Sequence, residues 1–204
     1  MKLFIDSGTA PNPRRVRIFL AEKGIEVPTE TVDIGKKEHL SDAFAALNPS
    51  RRLPVLILDD GTAISESVAI CRYFEEIRPE PPLFGTGAVE RATIEMWNRR
   101  MDLELGAMFA AIFRHTHPAM AALEVPQVPE WAAANRPKMD DYLAFLDREL
   151  ATRPFIAGDN FSIADISAIC VIDFLRPARV VVPDTLEHLH RWHAEVSARP
   201  GVVA

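Results

Sequence analysis

Strand, helix and strand follow one another within the first 34 residues, and few folds accommodate that order at that length. Lys2 to Ile5 reads as a strand. A loop follows, and then a helix with Asn12 as N-cap, Pro13 at its first position, apolar Val16, Phe19 and Leu20, and Gly24 just past its end. Thr29 to Ile34 reads as the second strand. Two strands joined through a helix pair in parallel, because a parallel pair needs a crossover and an antiparallel pair needs only a turn. A short helix near Ser41 to Leu47 stops at Asn48-Pro49, where the proline disfavours helix in the residue before it.

Next comes a hairpin: the apolar run Val55 to Leu58, an Asp60-Gly61 turn, and a short apolar strand. A helix leaves it with Val68, Ile70, Cys71 and Phe74 near helical spacing. Glu66 and Ser67 therefore stand where a strand ends and a helix begins. Free backbone N–H groups and the positive end of the helix dipole favour a small carboxylate there. Ser67 adds a hydroxyl donor, and Glu66 can accept from an ammonium group. The pair suits the two charges of an amino-acid headgroup. It equally suits a plain helix start, with Ser65 as N-cap and Glu66 complementing the dipole.

Residues 78–87 hold three prolines and two glycines and read as a linker. Beyond them every periodic segment is helical: about Val89 to Arg114, Trp131 to Leu150, a helix announced by Phe161-Ser162-Ile163-Ala164-Asp165-Ile166, and Thr185 to Ala198. Ser162 and Asp165 have N-cap and N3 spacing, and Phe161 and Ile166 have staple spacing.

The net charge of -6 argues against nucleic acid or an acidic membrane as the main partner. No apolar run reaches membrane-spanning length, so a cytoplasmic protein is expected. Cys71 and Cys170 lie in apolar helix contexts and read as core residues, without the Cys-x-x-Cys setting of a redox pair. No metal-ligand spacing occurs; His115 and His117 stand two apart without a third ligand nearby.

This layout, with Asn48-Pro49-Ser50-Arg51-Arg52-Leu53-Pro54-Val55-Leu56, Ser65-Glu66-Ser67-x-Ala69-Ile70 and Ser162-x-x-Asp165, resembles the cytosolic glutathione transferase superfamily over nearly the whole chain. The resemblance implies an α/β plus all-α fold. Residues 1–80 would form a thioredoxin-like glutathione-binding domain, 81–87 a linker and 88–204 an all-helical domain. It implies that Leu53 pairs its backbone with the cysteinyl part of glutathione, that Pro54 is a cis proline, and that Glu66 and Ser67 hold the γ-glutamyl group. Arg52, Lys36 and His39 lie in the loops that meet the glycyl carboxylate. Glutathione would be a co-substrate with no further cofactor, the second partner a small hydrophobic electrophile, and the assembly a homodimer.

The catalytic position departs from the common pattern. Counting back from Arg15-Val16-Arg17 places Ala10 where related classes carry a hydroxyl, with Ser7 and Thr9 before it. The segment resembles a fungal and bacterial branch with glycine or alanine there; Arg100, Leu103, Glu104, Leu105 and Pro118 match that branch too. In its fungal form a serine and a histidine hold a water near the thiolate. The matching positions here are Ala110 and Arg114, with His115 and His117 adjacent. Asn12, Arg114 and His115 are the candidate catalytic residues, together with the start of the Asn12–Lys23 helix and the local charge of Arg14, Arg15 and Arg17. Met108, Phe109, Phe113 and Met120 either line an electrophile pocket or belong to the core. Three functions stay open: a conjugating or peroxide-reducing transferase, a binding module without catalysis, as Ala10 permits, and a specialised isomerase or thiol-disulfide reductase. The last is disfavoured as a disulfide exchanger, since residues 6–13 hold no cysteine.

Overall fold

The structure, a computed structural model, describes residues 1–8 and 10–203. Thr9, one of the alternative hydroxyls named above, lies outside the described residues, as does Ala204. The chain divides into two units: Met1–Leu83 together with the last residues from Pro200, and Phe84–Arg199.

The first unit runs β1 (Lys2–Ile5), α1 (Pro11–Lys23), β2 (Thr29–Thr31), a 3₁₀ turn (Glu38–Leu40), α2 (Asp42–Leu47), β3 (Val55–Ile57), β4 (Ala63–Ser65) and α3 (Ser67–Ile77). The sheet order is β2-β1-β3-β4. β1 pairs in parallel with β2, Leu3 opposite Thr29, and antiparallel with β3, Leu3 opposite Leu56. β3 and β4 form the antiparallel hairpin expected around Asp60-Gly61. β2 ends at Thr31, three residues earlier than the sequence suggests. Asp33 turns the chain there by accepting the Lys36 N–H at 3.0 Å. α1 and α3 pack together, and Leu3, Val16, Phe19, Leu56, Ile70 and Phe74 are sealed from solvent. Each such side chain contributes about 1.5–3 kcal/mol by burial.

α1 begins earlier than its sequence suggests. Its N-cap is Ala10, with no side-chain cap, and Asn12 is the second helical residue. Pro11 and Pro13 both sit in the first turn, where a missing N–H costs no intrahelical bond. The helix ends on Gly24 in the left-handed region (φ 60), a backbone conformation that glycine adopts without strain. Lys23, in the last turn, is fully buried. Its ammonium donates to the carbonyls of Arg78 (2.8 Å), Pro79 (3.0 Å) and Pro81 (2.6 Å) and pairs with Glu75 at 2.5 Å. The proline segment leaving α3 is thus tied to α1.

The second unit holds α4 (Gly87–Arg100), a π-helical stretch (Met101–Gly106), α5 (Ala107–Thr116), α6 (Pro129–Leu150), α7 (Ile163–Ile172) and α8 (Glu187–Ser197). The long helix expected from Val89 to Arg114 is one continuous helical run with the wide turns of the π stretch inside it. A Cβ on Gly106 would come within 3.1 Å of the Met101 carbonyl, so glycine lets that turn close. α7 is buried at every position, the pattern of a helix surrounded by others. Its capping box forms as the sequence predicts: Ser162 Oγ accepts from Ala164 N–H, and Asp165 accepts from the Ser162 backbone. Cys71 and Cys170 are buried and are not joined in a disulfide.

The last helix, α9 (Pro200–Val203), belongs with the first unit and packs on α1. The expectation that everything after residue 88 is part of the helical domain is corrected by this contact. Gly201 sits so close to Glu22 that a Cβ would meet its carboxylate oxygen at 2.7 Å.

Candidate functional site

The junction of β4 and α3 is built by an unusual backbone. Glu66 is the N-cap of α3 and has φ 67, ψ 117, a left-handed conformation that a residue with a Cβ rarely adopts. Strain of this kind costs about 1–3 kcal/mol and gathers at sites where geometry is used. Its effect here is to turn the chain from strand into helix while leaving the Glu66 side chain exposed. Glu66, not Ser65, therefore caps the helix, and it makes no side-chain capping bond. Ser67 follows as the first helical residue and is only 3% exposed.

Beneath Ser67 lies Arg15, which is 3% exposed and thus no surface charge. Its Nη1 donates to Ser67 Oγ at 2.7 Å and to Asn12 Oδ1 at 3.2 Å. Ser67 Oγ in turn has a long contact, 3.4 Å, to Asn12 Oδ1. The structure thus brings Asn12 and Ser67 together, though 55 residues separate them, and joins them through an arginine that the sequence suggested only as a source of local charge. Arg17 has a different task. It donates to the carbonyls of Asp6 (3.2 Å) and Gly8 (2.5 Å), holding the loop in front of α1.

The start of α1 supplies fewer donors than a helix start ordinarily does. Pro11 and Pro13 have no N–H, and the Arg14 N–H is already bonded to the Ala10 carbonyl at 3.1 Å. Within the first turn one backbone donor remains, that of Asn12.

The other predicted residues of this unit fall into two places. The Leu53–Pro54 peptide is cis, and Pro54 is buried where β3 begins. His39 is 8% exposed in the 3₁₀ turn, and its Nδ1 is buried with no hydrogen-bond partner among the described residues. Burial, and after it the positive charge of Arg52, lowers the His39 pKa below the ordinary imidazole value. Arg52 is exposed. Two basic groups share one corner there, and one has an unmet buried polar atom. Lys36, by contrast, is 76% exposed and pairs with Asp33 at 3.2 Å.

Arg114 and His115 belong to the helical unit. Arg114 Nε donates to Glu124 Oε2 at 2.5 Å. His115 Nδ1 accepts the Val128 N–H at 3.0 Å, which places the proton of the neutral ring on Nε2, 4.0 Å from Glu124 Oε1. Both residues line a groove of about 820 Å³ between the α4–α5 run and α6, together with Met108, Trp131, Tyr142 and Phe145. Of the apolar candidates, Phe109 is core, 7% exposed, while Met108 faces the groove. Burial, and then the nearby Glu104 carboxylate, raises the Tyr142 pKa well above the ordinary phenol value. No cluster of three or more metal-ligating side chains occurs among the described residues, and no helix among them is long and apolar enough to cross a membrane.

Comparison with known proteins agrees with this architecture. A family model for the glutathione S-transferase N-terminal domain matches residues 9–77, and one for the C-terminal domain matches residues 100–200. Glutathione S-transferase 2 of Saccharomyces cerevisiae is 36% identical over 203 residues, spanning 98% of this chain and 87% of that protein. The crystal structure of a glutathione S-transferase domain-containing protein from Marinobacter aquaeolei superposes with a TM-score of 0.94 at 40% identity, covering 99% of this chain and 100% of that one. Gtt2 from Saccharomyces cerevisiae superposes with a TM-score of 0.93 at 36% identity, covering 100% and 99%. With both domains matched and the relatives aligned over nearly their full length, the chain belongs to the glutathione S-transferase family.

Proposed function

We propose that this protein binds glutathione in its first unit and uses the thiolate to attack a small electrophile, by conjugation or by reduction of a peroxide. The observation that carries the reading is the strained Glu66–Ser67 junction at the start of α3, which sets an exposed carboxylate beside a hydroxyl and a helix N-terminus. A γ-glutamyl headgroup has the complementary charges: its ammonium meets Glu66 and its carboxylate meets Ser67 and the helix start. The Leu53 backbone before Pro54 serves the cysteinyl part. Arg52 and His39, whose buried Nδ1 has no hydrogen-bond partner among the described residues, serve the glycyl carboxylate.

The sulfur then lies over the start of α1. A free thiol has a pKa of about 8.5, and helix N-termini and nearby cations lower it. Here the helix contributes mainly the Asn12 N–H, so Asn12 carries the task of holding the thiolate within the first unit. No cofactor beyond glutathione enters this scheme. The protein acts in the cytoplasm as a homodimer, as is usual in the superfamily it belongs to.

Retention on immobilised glutathione, followed by turnover of aryl halides, hydroperoxides and epoxides, tests the reading. Failure to bind glutathione overturns it. Binding without turnover of any of the three classes favours a second reading, a glutathione-binding module without catalysis. Ala10, the N-cap of α1, supports that alternative, since it offers the sulfur no polar side chain.

A further inference from the structure

We infer that the helical unit carries a second binding site, for a small phosphate monoester, where the end of α5 meets the turns that follow α7. The inference is independent of the glutathione-binding reading. A cavity of about 330 Å³ lies there, lined by Thr116, His117, Pro118, Arg176, Pro177 and Arg179. Its charged lining is all of one sign, and no carboxylate lines it. The Arg176 and Arg179 side chains make no hydrogen bond or ion pair among the described residues. Asp173, the acidic residue nearest to Arg176 in sequence, pairs with His193 Nε2 at 2.6 Å. The chain as a whole has a net charge of -6, so this positive corner runs against the overall charge. Two guanidiniums at one cavity repel each other, and an anion between them turns that repulsion into attraction.

The backbone favours the same reading. Arg179 has φ 54. Its N–H donates to the Arg176 carbonyl at 2.9 Å, and the Val180 N–H donates to the Leu175 carbonyl at 3.2 Å. That pair of bonds closes a helical turn around a left-handed residue, and the residue at that place is usually glycine. A side chain there costs about 1–2 kcal/mol. Strain of this kind gathers where a side chain is used. Arg136 of α6 holds the strained turn: its two terminal nitrogens donate to the carbonyls of Ala178 and Arg179, both at 3.2 Å. The Arg179 side chain therefore springs from a fixed backbone, and a third guanidinium lies against that backbone.

His117 supplies a neutral donor. Its Nδ1 accepts the Ala119 N–H at 3.2 Å, which leaves the proton of the neutral ring on Nε2. The ring packs on Phe113 with centroids 4.7 Å apart, so its plane is set. Nε2 has no hydrogen-bond partner among the described residues. Thr116 adds no donor, since its hydroxyl already donates to the Ile112 carbonyl at 2.6 Å.

These donors decide the class of ligand. Two guanidinium forks and one ring N–H come from three residues, and a phosphate monoester offers three terminal oxygens in a tetrahedral array. A carboxylate offers two in a plane. Guanidinium also pairs with phosphate through two parallel bonds. The size fits an ester rather than bare phosphate. A water takes about 30 Å³ of liquid, so the five atoms of phosphate fill only part of the cavity. Pro118 and Pro177 offer apolar ring surface to the remainder of the ligand.

Calorimetry with phenyl phosphate tests the site. The unaltered protein should bind it saturably, in the millimolar range or tighter. Benzoate keeps the ring and replaces the phosphate by a planar carboxylate, so it should bind at least about tenfold more weakly. Arg176→Gln should weaken phenyl phosphate binding by about tenfold or more, the loss expected for a hydrogen bond to a charged group. Arg179→Gly is the sharper variant. Glycine accepts φ 54 without strain, so the variant should fold and melt no lower, while phenyl phosphate affinity falls by about tenfold or more. Arg148→Gln removes one exposed charge from the last turn of α6, outside the cavity lining, and should change the affinity by less than about twofold. No saturable binding to the unaltered protein at about 10 mM phenyl phosphate overturns the site. So does full affinity in either Arg176→Gln or Arg179→Gly. A loss in Arg148→Gln as large as theirs also overturns it, because the binding is then a general effect of charge. Benzoate bound as tightly as phenyl phosphate overturns the assignment to a phosphate monoester.

Discussion

Trp192 donates its indole N–H to Asp165 Oδ1 at 2.8 Å, joining α8 to the first turn of α7 in the interior of the helical unit. The same carboxylate accepts the Ile156 N–H at 2.8 Å and, through Oδ2, the Ser162 N–H at 3.0 Å and hydroxyl at 3.1 Å. One buried side chain therefore meets donors from a loop, a cap and a second helix. Burial pushes its pKa up to about 6 against the downward pull of those four donors.

Removing one donor should be tolerated better than removing the acceptor. Trp192→Phe should cost about 1–3 kcal/mol, counting the lost bond and the imperfect refill of the site. Asp165→Ala should cost more, because it orphans several buried donors at once. Urea unfolding of the two variants checks the order. Equal midpoints would mean that the carboxylate is not the hub of this network.

Lys23 predicts the behaviour of the segment after α3. Truncating it to Met strips three carbonyls and the Glu75 carboxylate of a buried partner. Breaking one side of a buried ion pair costs about 3–5 kcal/mol. Lys23→Met with Glu75→Leu should regain part of that loss, since the buried carboxylate that lost its ammonium partner is gone as well. A double-mutant cycle by chemical denaturation measures the coupling. A double variant no better than Lys23→Met alone would place the stabilisation in the carbonyls rather than the pair.

What the sequence made legible was local. Val16, Phe19 and Leu20 write the buried face of α1, and Ser162 with Asp165 writes the cap of α7, because their partners lie within a turn. The start of α1 was misread for a local reason too. With proline at both 11 and 13, Asn12 followed by Pro13 has the spacing of a cap and first residue, yet Pro11 can hold the first position equally well. The rest depends on distant partners. Nothing near Arg15 indicates that Ser67, 52 residues on, will accept from it. Nothing near Lys23 foretells the carbonyls of residues 78–81. The positive φ of Glu66 and the return of α9 to α1 are likewise set by packing, which no short motif encodes.

His39 gives a pH dependence with a definite sign. Its folded pKa lies below the unfolded value of about 6.5. Above that value both states are neutral and His39 contributes no difference. As pH falls through it, the unfolded chain takes up a proton that the folded protein resists, so stability is lost on the acid side. His39→Gln should flatten the fall in melting temperature below about pH 6.5, where the unfolded imidazole titrates. An unchanged slope would show that His39 is solvated in solution. A bound carboxylate at the Arg52 corner should oppose the loss, so glutathione should protect the unaltered protein more strongly as pH falls.

The last prediction concerns how a thiolate is held with so few donors. Residue 10 caps α1 in an extended conformation (φ −52, ψ 135), so a hydroxyl placed there would stand at the helix start. Its best local acceptor role is limited, because the third helical residue is Pro13 and has no N–H to give it. The hydroxyl of Ala10→Ser is therefore available to a sulfur lying over the helix. The bound thiol's pKa should drop by about one unit, worth roughly 1.4 kcal/mol, read from thiolate absorbance against pH in the glutathione complex. Pro11→Ala should act in the same direction by restoring a second backbone donor to the first turn. Asn12→Ala keeps the one N–H and removes only the amide, so it separates side chain from backbone: a thiol pKa raised by about one unit would make the amide the holder, and no change would leave the task to the Asn12 N–H. If neither Ala10→Ser nor Pro11→Ala moves the pKa while glutathione still binds, the sulfur does not lie at the start of α1, and the hydroxyl of Ser7 becomes the group to examine.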